Sequence, residues 1–274
     1  MKGIVWLASY PKSGNTWLRA LLTNFLRPAA QPASIDKLIG LPLTRSRDFL
    51  EQWLGFSTTD LSLAETERWL PRVYAAMAEA PEPWFIKTHE RLAPPDADFR
   101  RATAAAIYLV RDPRDVAVSF SHHESRDLDA IIAAMADPDH ILGNTPHGIW
   151  HRLPERLGTW SSHVESWLDS GLPPLVVRYE DLLAAPELWF GKILRHCGHE
   201  PAPARLRQAV AHADFRELSR QEQTHGYAAR PARMAAFFRE GAADGWRSTL
   251  SPAQAACIVR AHGPVMTRCG YSLE

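Results

Sequence analysis

The sequence has few lysines and no excess charge of either sign, and both shortages restrict its function. Its 274 residues carry 31 basic and 31 acidic side chains, so no overall field attracts nucleic acid or an acidic membrane surface. An anion that this protein binds must therefore be held by a local group of residues. Each lysine is informative in a chain that otherwise uses arginine, because the two cations are not interchangeable. The five lysines are Lys2, Lys12, Lys37, Lys87 and Lys192.

Cysteines and long apolar runs are also scarce. Cys197, Cys257 and Cys269 form no CxxC pair, which favours plain thiols in a reducing, cytoplasmic compartment. The longest apolar stretches, such as residues 3–8 and 104–110, are far shorter than the ~20 residues of a membrane-spanning helix. Pro11 and Lys12 interrupt the first stretch too early for a signal peptide. We therefore expect neither a membrane partner nor a secretory leader.

Short apolar strands alternate with helical patterns along the chain. Residues 3–8, 84–88, 105–110 and 174–178 are predicted strands, since each is short, apolar and followed by polar residues. Helices are predicted from Asn15 to Pro28, over 112–121 and about 157–168, over much of 29–80, and largely after Tyr179. The alternation predicts one α/β domain over residues 1–274, a three-layer sandwich in which a central parallel sheet is flanked by helices. We expect about four to five strands in that sheet, and ligands of such sheets bind at the carboxyl ends of the strands.

A loop that can hold a phosphate follows the first predicted strand. Between a strand and a helix N-terminus, main-chain N–H groups and the helix dipole both attract an anion. Gly14 permits close approach of the main chain, Lys12 supplies charge, and the hydroxyl groups of Ser13 and Thr16 can donate hydrogen bonds. A Walker A loop would read GxxxxGK[ST], whereas here the lysine precedes the glycine by two residues and Asn15 follows it. This order argues against an ordinary ATPase or kinase, and a solvated turn is the alternative interpretation.

Two further segments carry motifs that, like the loop after the first strand, are typical of one protein family. Residues 85–89 (FIKTH) and 108–119 (YLVRDPRDVAVS) include the ends of the second and third predicted strands. Together the three segments resemble the sulfotransferase family, which uses 3′-phosphoadenosine 5′-phosphosulfate (PAPS) as sulfuryl donor and needs no metal. The resemblance covers residues 1–27, 84–121, 158–216 and 237–250. It is weak over 28–80 and 122–157, the segments in which members of the family build the acceptor pocket.

The resemblance implies a P-loop-like fold and a role for each matching residue. His89 would be the general base, Lys12 would neutralise the oxygen that bridges sulfur and phosphorus, and Lys87 would orient the sulfuryl group. Arg111 and Ser119 would hold the 3′-phosphate, and arginine suits this because it binds phosphate bidentately. The product would be adenosine 3′,5′-bisphosphate (PAP). The residues implied for the 5′ side are Lys12, Ser13, Gly14, Asn15, Thr16 and Trp17.

The resemblance also assigns the adenine contacts and a closing loop. Tyr179 begins a Tyr-Glu-Asp motif near the adenine, and Trp17 and Phe215 fall where the family stacks aromatic rings, although burial in the core is the alternative for all three. Residues 237–247 (FFREGAADGWR) resemble the R-K-G-x-x-G-D-W-K loop that closes over the 3′-phosphate, so Arg239 and the main chain of Gly241 carry over. Glu240 replaces the usual lysine. We expect its carboxylate to turn outward and to weaken PAPS affinity.

The sequence leaves the acceptor open. The resemblance implies a small organic molecule with a phenolic or alcoholic hydroxyl, or less readily an amine, and no nucleic acid. The first residues are also similar to bacterial enzymes that sulfate peptide or polyketide-type natural products. Five aromatic residues either line an apolar acceptor pocket or belong to the core: Trp53, Trp69, Trp84, Phe120 and Trp150. The oligomeric state cannot be read from the sequence.

Two other functions stay open at this stage, a P-loop-type nucleotide kinase and a nucleotide-binding module without catalysis. The misplaced lysine and the lack of a clear magnesium-binding aspartate after an apolar strand count against the kinase. The presence of both Lys12 and His89 counts against the inactive module. No metal site is expected, because His147 and His151 are spaced as in zinc proteases but HGIWH lacks their glutamate.

Overall fold

Four parallel strands form the centre of the computed structural model, which describes residues 2–40, 45–143, 153–172 and 174–274. These strands are β1 (Ile4–Ser9), β2 (Trp84–Thr88), β3 (Thr103–Val110) and β6 (Leu175–Arg178). Their order across the sheet is β2-β1-β3-β6, and each neighbouring pair is parallel. The four predicted strands are confirmed to within two residues at each end. A short antiparallel pair, β4 (Ile141–Leu142) with β5 (Glu155–Arg156), was not predicted.

The two faces of β1 bury alternate side chains in two separate cores. Ile4 and Trp6 belong to one apolar cluster, and Val5 and Leu7 belong to the other. All six residues of the strand are buried, which explains a continuous apolar run in place of alternation. The sheet therefore needs helices on both faces.

Helices cover both faces, as predicted for a three-layer sandwich. The face of Trp6 packs against α4, α5, α8 and α14, and the face of Leu7 packs against α1, α10, α11 and α12. Among the described residues, no helix is long and apolar enough to cross a membrane. The helices are α1 (Asn15–Leu26), α2 (Arg47–Leu54), α3 (Leu63–Glu67), α4 (Leu70–Ala78), α5 (Ala97–Ala102), α6 (Pro113–Glu124), α7 (Leu128–Met135), α8 (Trp160–Leu168), α9 (Tyr179–Ala184), α10 (Pro186–His196), α11 (Pro203–His212), α12 (Phe215–His225), α13 (Trp246–Thr249) and α14 (Pro252–Arg268), and a 3-10 turn lies at Ile35–Lys37.

The helical predictions were less accurate than those for the strands. The helix predicted over 112–121 continues to Glu124, and its start is fixed by Asp112, whose side chain accepts a hydrogen bond from Arg114 N. Residues 29–80 are less helical than predicted, partly because Gly55 ends α2 in a left-handed conformation. Gly226 likewise ends α12 at a φ of 78°, and residues 227–245 contain no helix. The prediction of a largely helical chain after Tyr179 was therefore too broad.

The strand order brings the predicted site segments to one edge of the sheet. β1 lies between β2 and β3, and Ala8 pairs with Thr88 on one side while Ser9 pairs with Leu109 on the other. Because the strands are parallel, the residues that follow all three leave from the same edge. This edge is where open α/β sheets bind ligands.

Candidate active site

A cavity of about 540 Å³ opens at this edge of the sheet. Its volume lies within the range of small-molecule sites, ~300–1,000 Å³. All but one of the predicted site residues line it: Lys12, Gly14, Asn15, Thr16, Trp17, Lys87, His89, Arg111, Ser119, Tyr179, Phe215, Arg239, Glu240 and Gly241. The exception is Ser13, whose side chain is fully buried and whose hydroxyl has no hydrogen-bond partner among the described residues. Positive φ values at Lys12 and Gly14 turn the loop on either side of Ser13. The role of its hydroxyl toward the nucleotide stays a prediction.

Gly14 is required by its contact with an aromatic ring. Its φ of 97° is one that residues with a side chain rarely adopt, and a Cβ there would lie 2.6 Å from Cδ2 of Tyr179. The adjacent Asn15 begins α1 and ties the loop back to β1, since its Nδ2 donates to the main-chain oxygen of Leu7 at 2.8 Å. The loop is thus held between β1 and the first residue of α9.

Arg111 connects three segments of the site. Its guanidinium donates to the main-chain oxygens of Lys12 at 3.2 Å and Ala242 at 2.9 Å. It also stacks on Tyr179, with 4.5 Å between the guanidinium carbon and the ring centroid. Its Nε is buried and has no acceptor among the described residues. The arrangement fixes a cation between the loop after β1 and residues 237–247.

Residues 237–247 fold over the cavity and are fastened to α6. The carboxylate of Asp115 accepts hydrogen bonds from the main-chain nitrogens of Asp244 and Trp246, at 2.8 and 2.9 Å. Gly241 has a φ of 61°, and a Cβ there would overlap the ring of Phe215. These contacts bring both Gly241 and Phe215 to the cavity wall.

The side chain of Glu240 is only partly turned outward. It is 54% exposed, yet its Oε1 lies 3.3 Å from Nη2 of Arg239. The carboxylate therefore pairs with one of the arginines predicted to hold the 3′-phosphate. An opposite charge at this distance satisfies the guanidinium that a phosphate would otherwise bind.

The hydrogen bonds of His89 define the protonation of its ring. Nδ1 lies 2.7 Å from the main-chain oxygen of Ser9, and because a carbonyl oxygen can only accept, Nδ1 carries the proton. The neutral ring then has its lone pair on Nε2. Burial, and next the charge of Lys87, hold the pKa of His89 well below its ordinary value. A neutral imidazole at the cavity wall is suited to accept a proton.

The main chain of His89 is held by two residues that the sequence did not reveal. Its nitrogen donates to Oε1 of Glu155 at 3.2 Å, and its oxygen accepts from Nε2 of His163 at 2.9 Å. Nδ1 of His163 accepts from the hydroxyl of Tyr108 at 2.8 Å. Burial lowers the pKa of His163 to about 4, in agreement with a neutral ring. Glu155 lies in the weakly matching segment 122–157 and His163 in the matching segment 158–216, but the resemblance assigned no role to either residue.

Lys12 contacts His123, another residue that the sequence did not reveal. Its Nζ lies 3.3 Å from Nδ1 of His123 and 4.4 Å from the ring centroid of Phe237. Burial, and then the charges of Arg111 and Lys87, lower the pKa of Lys12 to about 8. His123 is four residues after Ser119 on α6, so both side chains face the cavity.

Aromatic side chains divide between the cavity and other parts of the fold. Trp17 lies on the wall near Tyr179, with 5.9 Å between ring centroids, and its Nε1 donates to the main-chain oxygen of Ala213. Phe120 also lines the cavity, whereas Trp53, Trp69 and Trp84 are not among its lining residues. Trp53 packs against Trp84 instead. Trp150, His147 and His151 lie outside the described residues.

No group of three or more metal-binding side chains is found where the structure describes the chain. The three cysteines are free. The cavity wall carries five cationic residues and five acidic ones. The cations are Lys12, Arg19, Lys87, Arg111 and Arg239, and the acidic residues are Asp36, Asp115, Glu155, Asp214 and Glu240.

Comparisons with known proteins agree with this geometry. Residues 2–270 match the model of the sulfotransferase domain family. The chain is 25% identical over 281 residues to Sulfotransferase 1A1 of Canis lupus familiaris, covering 98% of this chain and 85% of that protein. It is 27% identical over 262 residues to Sulfotransferase 1A1 of Bos taurus, covering 90% and 78%.

Solved structures share the fold. The mouse sulfotransferase SULT7A1 complexed with PAP superposes with a TM-score of 0.64 at 18% identity, over 98% of this chain and 88% of that one. The sulfotransferase domain from the curacin biosynthetic pathway gives 0.55 at 17% identity, over 100% and 99%.

The chain therefore belongs to the sulfotransferase family. It is a PAPS-dependent sulfotransferase, as the resemblance implied, and not a nucleotide kinase. The residues present fit a nucleotide that is anionic at both ends. Lys12, Lys87, Arg111 and Arg239 supply cations to one cavity, and a glycine allows the main chain of the loop to approach an anion.

Proposed function

We propose that this chain transfers the sulfuryl group of PAPS to a phenolic or alcoholic hydroxyl of a small organic molecule, with His89 as general base. The observation that carries the proposal is the 2.7 Å contact between Nδ1 of His89 and the main-chain oxygen of Ser9. It leaves Nε2 as the proton acceptor of a residue that lines the cavity. An amine acceptor is the less favoured variant.

In the proposed reaction His89 takes the proton of the acceptor hydroxyl as its oxygen bonds to sulfur. The bond between sulfur and the bridging oxygen breaks, and PAP leaves with that oxygen. Lys12 stabilises the charge that develops on the bridging oxygen, and Lys87 orients the sulfuryl group. Support comes from their location, because both lysines line the same cavity as His89 and the charge of each acts on its imidazole.

The other predicted residues are proposed to hold the two ends of PAPS. Arg111, Ser119 and Arg239 bind the 3′-phosphate together with the main chain of Gly241. The main chain of residues 12–16 holds the 5′ side, with the hydroxyl of Thr16. Trp17, Tyr179 and Phe215 surround the adenine. Their common position at one cavity supports this assignment.

The acceptor is proposed to enter beside His89. Phe120, Leu142 and Glu155 line the cavity; Leu142 and Glu155 lie within the weakly matching segment 122–157, and Phe120 lies just before it. An apolar wall with one carboxylate suits a flat organic molecule that carries few polar groups. We further propose a cytoplasmic location for this enzyme, since its three cysteines are free.

Labelled sulfuryl donor provides the test. The protein is incubated with ³⁵S-PAPS and a panel of phenols, alcohols and amines, and mass spectrometry identifies any sulfated product. In parallel, calorimetry measures PAP binding. We expect sulfated hydroxyl compounds and saturable PAP binding. PAP binding without transfer to any acceptor would leave the inactive module as the better account, and exclusive N-sulfation would overturn the choice of a hydroxyl.

A further inference from the structure

Lys12 contacts a histidine that none of the matching motifs includes. Nδ1 of His123 lies 3.3 Å from Nζ of Lys12. An ammonium group has three protons and no lone pair, so Lys12 donates and Nδ1 accepts. The ring of His123 is then neutral with its proton on Nε2. That nitrogen faces the carboxylate of Glu124, at 3.9 Å from Oε1.

Most charged groups around Lys12 disfavour its ammonium form, so a neutral hydrogen-bond acceptor beside it would stabilise that form. Arg111 after β3, Lys87 on β2 and Arg239 in residues 237–247 all disfavour a further positive charge, while Glu124 on α6 favours it. The side chain is also partly buried, and its desolvation again disfavours the ammonium form. The hydrogen bond that Lys12 donates to His123 and the face of the Phe237 ring both favour the ammonium form.

We infer that His123 is a positioning residue for Lys12, holding its ammonium group at the cavity wall and keeping it protonated for sulfuryl transfer. The inference rests on the proposed role of Lys12. His123 comes from α6, one turn after Ser119, whereas Lys12 comes from the loop after β1. The contact therefore joins the proposed 3′-phosphate helix to the residue placed at the breaking bond.

The pKa of His123 agrees with this role. Burial, followed by the charges of Lys12 and Lys87, lowers it to about 4. The ring stays neutral throughout the pH range in which Lys12 titrates, so Nδ1 keeps its lone pair. A protonated ring could not accept the hydrogen bond.

The protonation of Lys12 can be measured without any turnover. With five lysines in the chain, labelling with [ε-¹³C]lysine gives few resonances, and Lys12→Arg identifies the one of interest. His123→Leu removes the acceptor, and His123→Asn restores one close to the position of Nδ1. We expect the Lys12 midpoint to fall by about one pH unit in the leucine variant, the size of one lost charge-assisted hydrogen bond. It should change little in His123→Asn and in His225→Leu, a control at an exposed position on α12.

Kinetics supply the second readout. The alkaline limb of kcat/KM for PAPS reports the free enzyme, and activity falls as pH rises through the pKa of Lys12 because the ammonium is lost. His123→Leu should move this fall to lower pH and reduce kcat/KM at pH 8 by about fivefold, while His123→Asn restores it. If His123 had only a structural role, its replacement would lower the melting temperature or the maximal kcat/KM. The pH midpoint of the alkaline fall in kcat/KM would then stay unchanged.

Three results decide the inference. It is overturned if Lys12 titrates identically in His123→Leu and the unaltered protein, or if the asparagine variant behaves like the leucine variant. Should His123→Leu not fold, ¹⁵N spectra of the unaltered protein decide, because a proton on Nδ1 of His123 would contradict the contact. If the titration midpoint of Lys12 shifts in His123→Leu but the protein sulfates no acceptor, the positioning role of His123 is supported and the proposed function is refuted. The two proposals can therefore fail separately.

Discussion

Nδ1 of His89 donates a hydrogen bond to the main-chain oxygen of Ser9, the last residue of β1. The strand that leads into the phosphate loop thereby also sets the tautomer of the histidine at the end of β2. The proton acceptor and the loop are therefore positioned by the same strand. Four predictions follow from this site.

His89→Ala should abolish turnover and preserve nucleotide binding. Loss of a general base costs about 10²–10⁴-fold in kcat, while the cations that hold PAP stay in place. The measurements are initial rates with PAPS and calorimetric titration with PAP. His89→Gln is the matched variant that keeps a polar side chain, and it should be equally slow. A rate near that of the unaltered protein in either variant would remove the base assignment.

The pH profile of kcat/KM should fall in acid, on a limb separate from the alkaline fall that follows loss of the Lys12 ammonium group. The base acts in its neutral form, and burial together with Lys87 holds the pKa of His89 well below the ordinary histidine value. Protonation therefore removes activity as pH decreases through a midpoint below ~6.5, the unperturbed value. Rates over the acid range, corrected for unfolding by circular dichroism, provide the check. An acid limb centred at or above that value would contradict the neutral-base interpretation.

Glu240→Lys should tighten PAP binding. The substitution removes a carboxylate that lies 3.3 Å from the guanidinium of Arg239 and adds a cation near the proposed phosphate. Because Glu240 is half exposed, we expect a gain of about three- to tenfold, largest at low salt. Glu240→Gln separates the two effects, since it removes the competitor without adding charge. Unchanged affinity in both variants would show that Glu240 does not weaken nucleotide binding.

Gly14→Ala should weaken PAP binding and destabilise the fold, because the new Cβ would lie 2.6 Å from the ring of Tyr179. Gly55→Ala is the control, since Gly55 has a similar positive φ of 76° but no heavy atom within 4 Å of the added Cβ. The control should lose about 1 kcal/mol of stability from backbone strain alone. Gly14→Ala should lose more, with at least about tenfold in PAP affinity. Equal effects in thermal unfolding and calorimetry would mean that Tyr179 moves aside at no cost.

The strands could be predicted from the sequence because burial on both faces leaves a continuous apolar run. The residues of β1 form such a run, and both of its faces are covered in the structure. The loop and the strand ends carried local motifs, so their residues could be named in advance. Gly14 was expected to allow close approach, although its contact with Tyr179 is a tertiary feature.

Other parts of the site depend on contacts between distant segments. Glu155, His163 and His123 reach the site through hydrogen bonds that span 66, 74 and 111 residues, and no motif in the sequence assigned them a role there. Ser13 has the right residue type in the right loop, yet its side chain is buried and is absent from the cavity lining, which the loop motif alone did not indicate. Aromatic residues are ambiguous for the same reason, since Phe120 and Trp84 look alike in sequence and only Phe120 lines the cavity.

The fixed position of Arg111 has a consequence for nucleotide binding. Two main-chain carbonyls and the Tyr179 ring already hold its guanidinium. A long side chain that is free in solution loses rotamer entropy when it grips an anion, by about 0.5–1.5 kcal/mol. In this protein the rotamer entropy of Arg111 is already lost when the chain folds. The affinity of Arg111 for the nucleotide is therefore raised by preorganisation rather than by added contacts.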